Sequence, residues 1–287
     1  MKKIILITIS LCFFLNVNAQ RKKSQQYDLK SSQLSGLKFR SVGPAFMSGR
    51  IADIAINPEN ENEWYVAVGS GGVWKTSNSG TTWTPIADDQ PFYSTGSITI
   101  DPHNSSKIWL GTGENVGGRH VGIGHGVYMS ENGGKKWKDM GLKSSEHISK
   151  IIVSPNDPNL IFVASQGPLW SSGGDRGLFR STNGGEDWKN VLSVNEWTGV
   201  TDIVIDHNNP STLYAATWQR HRNVAAYMGG GPGTSIYKSV DNGRTWIEIK
   251  NGLPASNLGK IGLAISPFDS SILYAAVETD RRNGGVY

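Results

Sequence analysis

A tryptophan-ending octapeptide recurs four times, an alternating apolar strand recurs five times, and the spacing between the two is nearly constant. Together these predict an all-β chain folded as a β-propeller of four-stranded blades. The octapeptides are TSNSGTTW ending at Trp83, SENGGKKW at Trp137, STNGGEDW at Trp188 and SVDNGRTW at Trp246. A chain needs a catalytic centre only once, so a set present four times reads as scaffold, and function is to be sought outside it.

Each unit opens with an apolar alternation ending at a proline: DIAINP at Pro58, SITIDP at Pro102, KIIVSP at Pro155 and GLAISP at Pro267, with His207 holding that place in DIVIDH. The residues two and four places earlier are aliphatic in every copy, namely Ile56 and Ile54, Ile100 and Ile98, Val153 and Ile151, Ile205 and Ile203, Ile265 and Leu263. Period two of this kind predicts a strand with one buried face. Seven residues after the mark an aromatic begins a second strand, at Tyr65, Trp109, Phe162, Tyr214 and Tyr274. A third strand carries Trp74, Tyr128, Phe179, Tyr237 or Tyr287, and the octapeptide tryptophan follows nine residues later in the four complete copies. No helical period competes; a stacked solenoid is the structural alternative.

The octapeptide lies between the third and fourth strands. Asp241, or Asn78, Asn132 and Asn183, can accept from turn N–H groups, and Gly243, Gly80, Gly134 and Gly185 fall where a tight hairpin has no room for Cβ. Trp83, Trp137, Trp188 and Trp246 supply rings for burial. Asn in three of four copies suits a turn and not a general acid. These segments resemble the Asp-box (bacterial neuraminidase repeat) consensus. The longer phrases GRIADIAINP, SGGVWKTSNSGTTWTPI, RGLFRSTNGGEDW and SIYKSVDNGRTW are similar to those of large secreted bacterial Asp-box propellers of the sortilin (VPS10-like) kind, often labelled glycosyl hydrolases. The resemblance runs from Phe39 to Tyr287 and implies a propeller with more blades than this stretch holds.

The first 19 residues read as a secretory signal: Lys2 and Lys3, an apolar run from Ile4 to Leu15, then Val17-Asn18-Ala19 before a cleavage point. It is too short for a retained membrane span. Its removal takes two of the 28 basic residues and none of the 24 acidic ones, so the net charge falls from +4 to +2 and nucleic acid is not indicated as a partner. Cys12, the only cysteine, leaves with the signal, which excludes disulfides and thiolate chemistry from the mature chain. Residues 20–38 read as a flexible lead-in and 39–287 as the propeller. At about 52 residues per blade, a ring of six or more blades needs over roughly 310 residues, so an open arc of about four and a half blades, with more propeller beyond Tyr287, is expected.

Strand reversal places the first-to-second turns and the Asp-box hairpins on one face, and the second-to-third loops on the other. Only the latter vary, spanning 9, 19, 17, 23 and 13 residues from aromatic to aromatic, so recognition is expected there. The candidates are Glu114, Arg119 and His120 in the second blade, Asp175 and Arg176 in the third, Trp218, Arg220 and Arg222 in the fourth, and Arg50 ahead of the first inner strand. Arginines beside aromatics suit a polysaccharide or an acidic peptide or protein. Glu114, His120 and His125 match no strong zinc spacing, and GGGPG lacks the lysine and helix of a phosphate loop; neither a metal nor a cofactor is expected.

Three functional readings follow. The first is a secreted binding module. The second is a glycosidase, which needs two placed carboxyls. YVAVGSGGVWK resembles xyloglucanase propellers, but the catalytic aspartate implied by that resemblance would fall at Gly69; GRIAD has Ala52 where a sialidase phrase has proline. Glu114, Asp175 and Glu278 remain as unpaired carboxyls. The third is an assembly-factor propeller of the photosystem II type.

Overall fold

The computed structural model describes residues 49–279 and 284–287, so the predicted signal and lead-in lie outside the described residues. Blade 1 is β1 (Ile51–Ile56), β2 (Trp64–Val68), β3 (Gly72–Thr76) and β4 (Thr84–Pro85). Blade 2 is β5 (Thr95–Asp101), β6 (Asn104–Thr112), β7 (Val127–Ser130) and β8 (Lys138–Asp139); blade 3 is β9 (Ile148–Ser154), β10 (Asp157–Ser165), β11 (Gly177–Ser181) and β12 (Lys189–Leu192). Blade 4 is β13 (Thr198–Ile205) and β14 (Leu213–Gln219), followed by a separate small hairpin of β15 (His221–Arg222) and β16 (Tyr227–Met228), then β17 (Ile236–Ser239) and β18 (Ile247–Ile249). Blade 5 has three described strands, β19 (Ile261–Ile265), β20 (Leu273–Val277) and β21 (Gly285–Val286). Each sheet is an antiparallel meander, and the five inner strands line one apolar channel.

The core is a set of layers between blades. Tyr65, Ala67 and Val73 of blade 1 pack on Ile98, Ile108 and Leu110 of blade 2. Trp109 and Val127 of blade 2 then meet Ile151, Val153 and Ile161 of blade 3, and the pattern continues to blade 5 through Ala216, Ile236, Ile261 and Ala275. Successive residues of a strand therefore face opposite neighbours: Trp109 looks forward while Ile108 and Leu110 look back. The paired aliphatics of the opening strand face the preceding blade. Hence Ile151, Val153, Ile203 and Ile205 are buried, whereas Ile54 and Ile56 are 47% and 52% exposed. The expectation of one buried face in all five copies fails in blade 1, because no described blade precedes it. At the other end Tyr274 and Ile272 are exposed on blade 5. The described residues form an open arc of four complete blades and a fifth of three strands.

The Asp-box turns are built alike. The hydroxyl of Thr76, Ser130, Ser181 or Ser239 accepts from the N–H of Gly80, Gly134, Gly185 or Gly243. The side-chain oxygen of Asn78, Asn132, Asn183 or Asp241 accepts from the N–H four residues on. Hydrogen bonds from the Thr245 hydroxyl and N–H hold the Asp241 carboxyl well below the usual carboxylate range. The tryptophans are only partly buried. Two of them reach back to the preceding blade, Trp137 Nε1 donating to Ile86 O at 3.1 Å and Trp188 Nε1 to Met140 O at 2.7 Å. Trp83 and Trp246 bond their own turns instead, at Gly80 O and Gly243 O. Trp246→Ala should therefore cost about 1–3 kcal/mol, below the ~3–5 kcal/mol of a fully buried tryptophan. A urea denaturation curve reads this, and a loss above that range would mean the ring is more deeply packed than described.

Candidate ligand-binding face

Hydrogen bonds separate the two faces. Asp-box turns touch the first-to-second turns of their own blades, as in Gly133 N to Ser106 O and Gly184 N to Asn159 O. The second-to-third loops touch the connections between blades, as in Gly113 N to Ser94 O and Arg220 N to Trp197 O. The variable loops thus share one face, as the spacing implies.

On that face the loop of blade 2 reaches across the arc. Three consecutive carbonyls are each gripped by a basic side chain from a later blade. Lys260 Nζ donates to Asn115 O at 2.6 Å and Arg220 Nη1 to Val116 O at 3.0 Å. Arg222 donates to Gly117 O through Nε at 3.1 Å and Nη2 at 2.8 Å. In return Arg119 Nη2 donates to Val224 O, in the hairpin of blade 4. Residues 115–117 form a strap bonded to blades 4 and 5. Gly117 and Gly229 both pack against the ring of Tyr227, which a Cβ on either would meet, and the Arg222 guanidinium lies 4.3 Å from its centroid.

This geometry corrects several candidates. Arg220 is fully buried; its Nη groups bond Val116 O and Gly167 O. Arg176 is buried too, donating to the carbonyls of Gly173, Gln166, Trp197, Pro168 and Ser171. Trp218 is buried and donates to Gly229 O. These three brace loops and do not offer themselves to a ligand. Burial, and then the nearby Arg176 charge, lowers the Arg220 guanidinium to about 9, still charged at neutral pH. Arg222 is half-buried against Tyr227 and the strap. Asp175 accepts from the N–H and hydroxyl of Ser144 and fastens a loop. Arg119 and His120 remain exposed.

Glu114 is buried and ion-paired with Arg50 at 2.6 Å, while its second oxygen accepts from Gly122 N at 2.8 Å. A Cβ on Gly69 would stand 2.5 Å from Glu114 Oε1. The Glu114 carboxylate thus occupies the room that a side chain at residue 69 would need.

The sequence alone did not single out His147. It is buried, neither ring nitrogen has a hydrogen-bond partner among the described residues, and Glu146 Oε2 at 3.9 Å is too distant for one. Burial, and then the Arg220 charge, pulls the imidazole from 6.5 down to about 3. The unfolded chain binds this proton from about pH 6.5 downward and the folded chain only near pH 3. Stability should therefore fall on acidification through that window, by up to about 1.4 kcal/mol per pH unit. His147→Gln should flatten the slope in pH-dependent denaturation; an unchanged slope would assign it to other groups.

Beside Arg119 and His120, that face exposes aromatic rings. Tyr93 (65%), Trp170 (43%) and Tyr227 (41%) are open to solvent, and Trp197 stacks on His221 with centroids 4.1 Å apart. Tyr93 O accepts from Gly72 N, Trp170 lies in the loop of blade 3, and Trp197 O accepts from Arg220 N, so all belong to the loop face. Among the described residues no group of three or more His, Cys, Asp or Glu could hold a metal, and no helix is long and apolar enough to cross a membrane.

Comparison with known proteins accords with this architecture. A family model described as sortilin, neurotensin receptor 3, matches residues 125–253. A xyloglucanase of Hypocrea jecorina is 27% identical over 236 residues, 71% of this chain and 26% of that protein. A xyloglucanase of Acetivibrio thermocellus is 23% identical over 248 residues, 78% of this chain and 28% of the relative. The chain thus spans about a quarter of the length of the curated relatives it matches. Among solved structures, the GH74 xyloglucanase of Xanthomonas campestris superposes with a TM-score of 0.59 at 17% identity, covering 81% of this chain and 35% of that one. The GH74 enzyme of Niastella koreensis gives 0.60 at 21% identity, covering 79% and 34%. This chain is an all-β propeller arc, similar in sequence to the sortilin family and in fold to GH74 enzymes.

Proposed function

We propose that the chain is a polysaccharide-binding propeller segment that takes a glycan along its loop face, delivered outside the cytoplasm by the predicted signal. The observation that carries this is a set of rings on one braced face, with Trp170, Tyr227 and Tyr93 exposed and the half-buried Trp197–His221 stack beside them. Flat apolar rings with polar edges suit the faces of pyranose units, and interlocked loops hold them without an ordering cost at binding. The names of the relatives make xyloglucan the first polymer to test. In affinity electrophoresis through xyloglucan, the protein should be retarded, and Trp170→Ala should reduce the retardation several-fold with an unchanged melting temperature. Equal retardation of that variant would remove the rings of the third blade from the site, and migration indifferent to every glycan would favour an acidic peptide or protein ligand.

A second reading, glycoside hydrolysis, is favoured by those same names. Against it stands the state of Glu114, buried with both oxygens engaged, and the absence of a side chain at Gly69. A binder releases no reducing ends from xyloglucan. Release that is abolished by Glu114→Gln would establish hydrolysis and displace the binding reading.

A further inference from the structure

The inner strands of blades 1 to 4 each carry an irregularity at their loop-face end. Pairing with the second strand slips between Ile51 and Asp53, Thr95 and Ser97, and Val200 and Asp202, and at Ser149 in blade 3. A bulge inserts one residue and re-aims those beside it. In blades 1, 3 and 4 the re-aimed residues, Asp53, Lys150 and Asp202, line a cavity of about 570 Å³ at the mouth of the channel. Blade 5 adds Lys260 and Glu278, and Asn115 of the strap closes one side.

The geometry points to this cavity as a binding site for a neutral, hydroxyl-rich ligand the size of one or two sugar rings. Three carboxylates and two ammonium groups alternate around it, Asp53, Lys150, Asp202, Lys260 and Glu278, leaving the charge nearly balanced. An anion or a cation would gain little net attraction, whereas hydroxyls can donate to the carboxylates and accept from the lysines. Asp53 is held by the N–H groups of Ile54 and Ile98, and Asp202 by those of Ile203 and Leu263 at 2.9 and 2.7 Å, so both carboxylates are fixed before a ligand arrives. Burial raises the Asp202 carboxyl above its usual range, which strengthens it as an acceptor. Among the described residues the Lys150 ammonium makes no hydrogen bond or ion pair, so it is free to donate. Ala52, Ile261, Ala276 and Val277 give an apolar wall for the C–H face of a ring. The volume falls within the usual ~300–1,000 Å³ of small-molecule sites.

The cavity lies at the loop-face end of the inner strands, yet none of the exposed rings lines it, so its assignment does not depend on them. The test is isothermal titration of the full chain with glucose, xylose and sorbitol, with acetate and ethylammonium as charged probes. Saturable binding of the neutral probes is expected, weakened at least about tenfold by Lys150→Met and by Glu278→Gln at unchanged melting temperature. Trp170→Ala should leave it intact while weakening retention by polymer, which separates the two sites. If Lys150→Met folds poorly, Lys150→Gln serves, since it keeps a donor of shorter reach and should retain part of the affinity. Binding of only acetate or only ethylammonium, no binding of the neutral probes, or binding indifferent to both cavity variants would overturn the assignment.

Discussion

Arg220→Ala should lower the melting temperature by about 10 °C. The guanidinium is fully buried, and its loss strands the carbonyls of Val116 and Gly167 while leaving a void beside Trp218, whose ring lies 5.2 Å from it. Removing one partner of a buried charged contact costs about 3–5 kcal/mol. In a domain of this size each kcal/mol is worth roughly 2–4 °C. Arg220→Met restores most of the volume without donors, so the difference between the two variants in thermal denaturation measures the hydrogen bonds apart from the packing. The sequence alone casts Arg220 as a ligand contact whose removal spares stability; a melting temperature unchanged within a degree would restore that reading.

Gly243→Ala should cost about 3 kcal/mol. Its φ is +70°, which an alanine adopts at a cost of ~1–2 kcal/mol. The added Cβ would also stand 2.5 Å from Phe162 Cε1 in the preceding blade, and overpacking of that order costs about 1–3 kcal/mol. Gly252 supplies the comparison. Its φ is +87°, yet nothing lies within 4 Å of a Cβ there, so Gly252→Ala should cost only the conformational part, ~1 kcal/mol. Equal losses in urea denaturation would show that the backbone alone makes the turn glycine obligatory.

The strands were legible because their information is local. Period two, the mark at Pro58 or Pro155 and the fixed turn lengths are visible within ten residues of each other. The Asp-box turn is likewise a contact among near neighbours, such as Ser239, Asp241, Gly243 and Thr245. The loop face was legible as a face, since length variation alone marks it, but its side chains were not. Whether Arg220 meets solvent or Val116 O depends on a residue 104 places away. A basic side chain in a glycine-rich loop looks the same in either case. Trp218 was misread for the same reason, and Trp197 and His147 drew no notice because each is a single residue in a connection between blades. The bulges that re-aim Asp53, Lys150 and Asp202 leave the apolar alternation intact, so no pattern of residue types betrays them. Exposure of Ile54 was hidden too, since burial there is conferred by a neighbouring blade and not by the strand itself.

The strap has a consequence for cooperativity. In a row of repeats that touch only their neighbours, stability is a sum of unit and interface contributions, and an end unit can peel away without disturbing the third. Residues 115–117 break that rule by bonding blade 2 to blades 4 and 5 over the top of blade 3. Such next-nearest-neighbour coupling turns an array into a network: blade 5 cannot detach without loosening a contact in blade 2. Melting should therefore be closer to all-or-none than a bare row of blades allows. Cutting the three basic grips together should let hydrogen exchange at the blade 5 end proceed ahead of the rest, as the array reverts to one dimension.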